Sequence, residues 1–336
     1  MEFPRCLTLL LIALVFLMSC SSVAAKFPAL FAFGDSILDT GNNNLLATFS
    51  KCNVAPYGMS LPLKLPTGRF GNGKVFSDVL TEKLGIKDEL PAFSSLNLRN
   101  RDLPTGVCFA SGGSGLDDLT AKVQGVIPLG LQLNHFKQYF TRLKRTEGDL
   151  RASTIVSKGF FLISAGNNDF GITKAMNLRP ALTTITYTAM LIPLAKTFVR
   201  QLYELGARKI GFMGTLPLGC LPGNRAFAGE IFCNEIMNMG AKYFNSKLEE
   251  AMGDLQRTLP GADIFYIDVY NPLMEIVRNY ERYGFKNPSI GCCCAGLLPC
   301  PKVEDHVFWD IAHPTEKAYR IMLNTIIPKY SNHFTS

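Results

Sequence analysis

Short hydrophobic runs alternate along this chain with longer amphipathic segments. Short apolar runs bounded by glycine or polar residues predict buried β-strands. Five such runs occur, at residues 29–33, 106–110, 159–165, 208–213 and 263–268. Each run is too continuously apolar to have one solvent-facing side, so the pattern favours strands that are covered on both faces.

The segments between these runs have apolar residues at helical spacing, and several end at glycine. They predict helices at about 74–84, 131–143, 181–205, 234–255, 272–282 and 315–326. Alternating strands and helices predict an α/β fold, with three α/β/α layers around a mainly parallel sheet. Because the chain contains no internal repeat or linker, residues 26–336 are expected to form one domain.

Composition narrows the class of protein. Charged residues make up 18% and hydrophobic residues 47% of the 336 residues, which excludes a disordered chain. The formal charge of +7 is spread without a long basic block, so no nucleic-acid partner is expected. The basic amphipathic helix at 131–143 could contact a lipid surface peripherally, although packing against the sheet is the simpler interpretation.

The amino terminus predicts export. Arg5 precedes an apolar run at 7–18, and small residues follow up to Ala25. This order is typical of a secretory signal peptide covering residues 1–25, and the run is shorter than the roughly 20 residues of a membrane span. The mature chain is therefore expected to begin near Lys26 and to be secreted.

Eight cysteines remain in that mature part, and export makes disulfides the favoured interpretation. Cys220 and Cys233 flank a short loop and are the best pair. The cluster of cysteines 292–294 with Cys300 could bind a metal or form a disulfide-closed loop. Secretion favours the loop, and the other pairings stay open.

Polar, turn-forming residues follow three of the predicted strands: Ser36, the glycines 112–113 and the asparagines 167–168. The carboxyl ends of parallel strands lie along one edge of a sheet, so these groups should converge. A hydroxyl nucleophile beside amide donors is what ester hydrolysis requires. The alternative is that Asp35 or Ser36 only caps the following helix.

A general base is the remaining requirement. Of the four histidines, His313 follows Asp310 by three residues, ahead of the last predicted helix. That spacing lets the carboxylate hold the imidazole in the tautomer that accepts a serine proton. The alternative is that Asp310 caps the last helix.

Several blocks, taken in order, resemble the plant GDSL lipase/esterases of the SGNH hydrolase superfamily, especially the extracellular lipases. The matching blocks are Gly-Asp-Ser at 34–36, Pro-Thr-Gly-Arg-Phe at 66–70, Phe-Ala-Ser-Gly-Gly at 109–113, Gly-Asn-Asn-Asp at 166–169, Leu-Tyr-Glu-Leu-Gly-Ala-Arg at 202–208, Pro-Leu-Gly-Cys at 217–220 and the segment 308–319.

The resemblance implies roles for the residues at the matching positions. Ser36 would be the nucleophile, His313 the general base and Asp310 the residue that orients His313. The oxyanion would be held by the backbone N–H of Ser36, the backbone N–H of Gly113 and the side-chain amide of Asn168. Gly113 rather than Gly112 follows from the register of the block.

The implied activity is hydrolysis of lipid-type carboxylic esters through an acyl-serine, with no cofactor and no metal. An acyltransferase using the same intermediate, or a binding or coat protein with an impaired site, is the alternative. One departure from the family pattern bears on the binding or coat protein alternative. Cys108, directly before the block at 109–113, stands where the family usually carries Asn. A cysteine is a weak donor or a disulfide partner, so the oxyanion loop would be held differently.

Overall fold

A four-stranded parallel sheet forms the centre of the protein. The computed structural model describes residues 26–229, 232–293 and 299–334. The strand order follows the chain order: β1 (Leu30–Gly34), β2 (Phe160–Ser164), β3 (Lys209–Met213) and β4 (Asp263–Ile267). Leu30 pairs with Phe160, and Gly34 pairs with Ser164. The carboxyl ends of the strands are therefore aligned along one edge.

Helices flank the sheet, as the sequence predicts. They are α1 (Phe76–Lys83), α2 (Asp118–Gln124), α3 (Leu129–Glu147), α4 (Asp149–Lys158), α5 (Thr184–Glu204), α6 (Pro222–Ala228), α7 (Glu235–Thr258), α8 (Tyr270–Arg278), α9 (Glu316–Lys329) and α10 (Ser331–Phe334). All six predicted helices are present, and the α/β class is confirmed. No helix in the described ranges is both long and apolar enough to cross a membrane.

The strands are covered on both faces. Every residue of β1 and of β2 is buried, which explains why their sequences are continuously apolar rather than alternating. Aromatic rings fill the space around them: Phe33 stacks on Phe109 at 4.9 Å between centroids, and Phe31 lies 4.8 Å from Phe161. Full burial of each such side chain stabilises the fold by up to about 3 kcal/mol.

The predicted strand at 106–110 is wrong in its extent. Cys108 forms only isolated parallel bridges, one with Ala32 of β1 and one with Ala92. The side-chain amide of Asn42 donates to the carbonyls of Cys108 and Ala110 at 2.9 and 2.8 Å. The N–H groups of Phe109 and Ala110 both donate to the carbonyl of Ala32, at 2.7 and 3.1 Å, so the segment lies beside β1 without the one-to-one pattern of a parallel ladder.

Two disulfides and two free thiols can be assigned among the described cysteines. The predicted Cys220–Cys233 disulfide is confirmed, and Cys292 pairs with Cys300, which closes the loop as expected. Cys52 and Cys108 are buried free thiols. Cysteine 294 and the predicted signal peptide lie outside the described residues.

Candidate active site

Ser36, His313 and Asp310 meet at the carboxyl edge of the sheet. The Nε2 atom of His313 lies 2.8 Å from the hydroxyl oxygen of Ser36, although the residues are 277 positions apart. The Nδ1 atom of His313 lies 2.8 Å from each carboxylate oxygen of Asp310. An ionised carboxylate only accepts, so Nδ1 carries the proton and Nε2 is left to accept from the serine.

A glycine at the end of β1 makes the turn to Ser36 possible. Gly34 has φ of +115°, and a Cβ atom there would stand 1.8 Å from the carbonyl oxygen of Ser164. No other residue fits this close approach of β1 to β2. The N–H of Asp35 then donates to that carbonyl at 2.9 Å, which turns the chain and sets Ser36 above the strand end.

The Asp35 carboxylate connects the ends of β1 and β2. It accepts from the N–H of Ile37 at 3.1 Å, the hydroxyl of Ser164 at 2.9 Å and the side-chain amide of Asn167 at 2.9 Å. Burial raises the pKa of Asp35 to about 6, and these hydrogen bonds offset only part of that rise. Asp35, directly before Ser36, is thus a structural tie rather than a solvent-facing acid.

Asp310 holds both the backbone and the ring of His313. Its Oδ1 atom accepts from the backbone N–H of Ala312 and of His313, each at 2.8 Å. Burial by itself would raise the pKa of Asp310, but the charge of His313 and these hydrogen bonds outweigh it and lower the pKa. Asp310 therefore stays ionised while it orients the imidazole.

Tyr57 is part of this arrangement and was missed in the sequence. Its hydroxyl donates to Oδ2 of Asp310 at 2.9 Å, and its ring meets Trp309 edge to face at 5.8 Å. Burial and the charge of Asp310 raise the pKa of Tyr57, so the phenol remains a donor. The sequence signal was general: a connection as long as the one after β1 is typically functional or pinned by a contact, without indicating which residue makes it.

In the block at 109–113, one backbone N–H is used for structure and another has no protein acceptor. The N–H of Gly112 donates to Oδ2 of Asp39 at 2.8 Å. Among the residues described, no acceptor takes the N–H of Gly113 or of Ser36. Gly113 has φ of +87°, a conformation that glycine adopts easily. This division of roles favours Gly113 over Gly112 as an oxyanion donor.

The two asparagines after β2 are bonded differently. The Asn167 amide donates to Asp35 and its carbonyl accepts from the N–H of Leu216 at 2.9 Å, so both of its ends are used. The half-buried Asn168 amide donates once, to the carbonyl of Ser114 at 2.8 Å. A primary amide has two hydrogens to donate, so Asn168 keeps one for a ligand.

Cys108 does not disturb the block at 109–113. Of the two alternatives for Cys108, the weak donor is found and the disulfide partner is wrong: its thiol is free and donates to the carbonyl of Leu38 at 3.2 Å. Burial, with the charge of Asp39, raises the pKa of Cys108 to about 12, so it stays neutral. Asn42 holds the Cys108 and Ala110 carbonyls, which fixes the loop from the other side.

The other three histidines lie elsewhere. His135 packs against Phe93, with 5.2 Å between the ring centroids. The Nδ1 atom of His306 lies 3.2 Å from the carbonyl oxygen of Ile290, and that of His333 lies 2.7 Å from Asp263. His313 is thus the histidine that the fold brings to Ser36.

Comparison with known proteins agrees with this geometry. The family model for GDSL-like lipase/acylhydrolase matches residues 30–326. The chain belongs to this family. It is 47% identical over 326 residues to GDSL esterase/lipase EXL4 of Arabidopsis thaliana, covering 94% of this chain and 95% of the relative. It is 48% identical over 329 residues to GDSL esterase/lipase At5g63170 of the same plant, covering 96% and 97%.

Membership of the family makes this chain a GDSL-type carboxylic ester hydrolase, as the sequence blocks predict. The GDSL-like hydrolase has its characteristic first block at residues 34–36, where the described geometry places a serine hydroxyl against an imidazole.

Proposed function

We propose that this GDSL-like hydrolase is a secreted serine esterase or lipase that cleaves lipid-type carboxylic esters through an acyl-serine intermediate. One observation carries the proposal: the 2.8 Å separation between the Ser36 hydroxyl and His313 Nε2, with Asp310 bonded to the other ring nitrogen. This is the arrangement by which a weak hydroxyl nucleophile is activated in ester hydrolysis.

In the first half of the reaction, His313 accepts the Ser36 proton as the serine oxygen attacks the ester carbonyl carbon. The carbonyl oxygen becomes negative and accepts hydrogen bonds from the N–H groups of Ser36 and Gly113 and from the Asn168 amide. The bond to the alcohol oxygen then breaks, and His313 donates its proton to that oxygen. The products are a free alcohol and an acylated Ser36.

In the second half, His313 accepts a proton from water as the water oxygen attacks the acyl carbon. The bond to Ser36 breaks, the serine oxygen recovers the proton, and the acid leaves. Asp310 stabilises the imidazolium in both halves. These residues supply every proton transfer, so the proposed reaction uses neither a cofactor nor a metal.

Secretion is supported by the disulfides Cys220–Cys233 and Cys292–Cys300, because such bonds persist in oxidising compartments. The predicted signal peptide at residues 1–25 points the same way. The location and the natural ester remain part of the proposal.

The test is covalent labelling with a fluorophosphonate probe beside hydrolysis of a nitrophenyl ester. We expect the wild type to be labelled and active, and Ser36→Ala to lose both properties while keeping its unfolding midpoint. Ser153→Ala, an exposed serine of α4, is the matched control and should keep both. Equal labelling of Ser36→Ala and wild type would contradict the proposed nucleophile, and an unlabelled wild type would indicate an impaired binding protein.

Hydrolysis is separated from acyl transfer by the products. With glycerol present as a competing alcohol, a hydrolase releases mainly free acid. Mainly acylglycerol would instead make the protein an acyltransferase that uses the same acyl-serine.

A further inference from the structure

The connection that follows Ser36 exposes an unusual amount of apolar surface. We define the β1 loop as residues 40–66. Its exposed apolar side chains are Leu45 at 64%, Phe49 at 107%, Val54 at 58%, Leu63 at 80% and Leu65 at 59% of full accessibility. Single exposed apolar residues are ordinary, but several in one connection mark an interaction surface.

The β1 loop is held firmly although these side chains are exposed. The Asn43 amide donates to the carbonyls of Ser50 and Gly112, and the Asn44 amide donates to that of Thr67. Tyr57 anchors its middle to Asp310. Because polar contacts fix the backbone, the apolar exposure belongs to the folded state and is not a consequence of loose packing.

All charged side chains of the β1 loop are positive. Residues 40–66 contain no Asp and no Glu, and their charged side chains are Lys51 and Lys64. Lys64 is exposed, and the Lys51 ammonium donates to the carbonyl of Leu46 within the loop. Apolar side chains beside lysines suit the boundary between acyl chains and anionic head groups of a lipid layer.

Two further exposed apolar side chains neighbour the site and the β1 loop. Ile311, between Asp310 and His313, is 57% exposed. Val123 of α2 is 43% exposed, and its neighbour Gln124 accepts from the Ser50 hydroxyl of the β1 loop. Ile311 places exposed apolar surface directly beside His313, so a lipid layer that takes up these side chains would be close to Ser36.

We propose that the β1 loop docks the enzyme on an anionic lipid surface. Phe49, Leu63 and their apolar neighbours enter the acyl layer, the exposed Lys64 faces the anionic head groups, and the esters of that surface reach Ser36. The catalytic role of docking rests on the proposed hydrolysis, whereas binding to the lipid surface itself requires no turnover.

Docking is measured with Ser36→Ala as the parent protein, so that no substrate is consumed. The parent is sedimented with sucrose-loaded vesicles of phosphatidylcholine, alone or with 30 mol% phosphatidylglycerol as a chosen anionic composition. We expect Phe49→Ser/Leu63→Ser to lower the partition coefficient by at least about tenfold, because burying either side chain is worth more than one such factor.

Two further variants sharpen the result. Leu150→Ser is the matched control, because Leu150 is 85% exposed on α4, which leads into the amino end of β2, away from the site. It should bind vesicles as the parent does. Lys64→Gln should lower binding about fivefold on the anionic vesicles and leave binding to phosphatidylcholine alone unchanged.

Several outcomes would overturn the docking proposal. These are a parent that does not sediment with anionic vesicles, a double variant that binds equally well, or an equal loss in Leu150→Ser. A wild-type dimer that becomes monomeric in the double variant without lipid would assign the surface to a second copy instead. A parent that binds vesicles, with a wild type that fluorophosphonate does not label, would reject the hydrolysis and keep the docking.

Discussion

The hydroxyl of Tyr57 donates a 2.9 Å hydrogen bond to Oδ2 of Asp310, across 253 positions of the chain. The same Asp310 side chain holds the His313 ring and two backbone N–H groups through short bonds. The β1 loop therefore supports the orienting carboxylate as well as exposing apolar surface. The loop that we propose to contact lipid is thus hydrogen-bonded directly to Asp310, the residue that we propose orients His313.

Replacing Tyr57 tests how much this support contributes. Tyr57→Phe keeps the packing against Trp309 and removes the donor to Asp310. A hydrogen bond to a charged group contributes about 1.5–3 kcal/mol, of which we expect a part to appear in the barrier, so kcat should fall about tenfold with little change in KM. The measurement is steady-state hydrolysis of a soluble nitrophenyl ester.

Tyr243→Phe is the matched control, because Tyr243 is a partly buried tyrosine of α7. Its kcat should equal that of the wild type. A Tyr57→Phe enzyme with wild-type kcat would show that the backbone N–H groups orient Asp310 sufficiently without the phenol.

The neighbouring asparagines should separate catalysis from stability. Asn168→Ala removes the proposed oxyanion donor, and kcat should fall by roughly 10²-fold, the usual scale for one such donor. Asn167→Ala removes bonds to Asp35 and Leu216, so its main effect should be a lower unfolding midpoint. Rate and thermal unfolding are measured on both variants. A reversed pattern would exchange the roles of the two residues.

The pH dependence of stability should reflect three buried carboxyls. Burial raises the pKa of Asp35, Asp39 and Asp169 from 3.8 to about 6, and hydrogen bonds offset only part of the rise. Between about pH 4 and 6 the folded state then binds more protons than the unfolded state, so the free energy of unfolding decreases as pH rises. Above that pH window, each carboxyl with a raised pKa lowers the free energy of unfolding by about 3 kcal/mol. The pKa difference is roughly 2.2, and a difference of one is worth about 1.36 kcal/mol.

The expected result is a higher thermal unfolding midpoint at pH 5 than at pH 7.5. His135 opposes the trend, because burial lowers its pKa and its neutral form is favoured in the folded state. Three carboxyls should outweigh one half-buried histidine. A midpoint that decreases on going from pH 7.5 to pH 5 would show that the hydrogen bonds keep these carboxylates ionised.

Removing the Cys220–Cys233 disulfide should lower the free energy of unfolding without a large change in the rest of the structure. The bridge closes a segment with a sequence separation of 13. A loop of about 15 residues corresponds to about 3 kcal/mol in the chain-entropy account, so Cys220→Ser/Cys233→Ser should lose a comparable free energy of unfolding. Urea titration measures the loss. Dithiothreitol should destabilise the double variant less than the wild type, because Cys292–Cys300 is still present in the variant but the Cys220–Cys233 bridge is already gone. An unchanged urea midpoint of the double variant would contradict the estimate.

Local sequence predicted the elements well where periodicity was long or apolar runs were continuous. The four strands and six of the helices were predicted from such patterns. The helices α2, α4, α6 and α10 were missed. Three of them span seven residues or fewer, too short for a clear period, and α4 follows α3 after the single residue Gly148. The segment at 106–110 has a strand-like sequence, but two of its N–H groups share the carbonyl of Ala32 and Asn42 bonds two of its carbonyls, and no local pattern reveals these contacts.

The sequence by itself determined the order of strands and helices, the family and the identity of the residues that could carry ester chemistry. These follow from local apolar spacing and from ordered motifs, which are readable along the chain. Only the tertiary structure decided that Ser36 and His313 lie 2.8 Å apart, that Asp39 occupies the Gly112 N–H, and that Tyr57 bonds to Asp310. Those contacts depend on how distant segments pack at one sheet edge, and packing across tens to hundreds of residues leaves no local periodic trace.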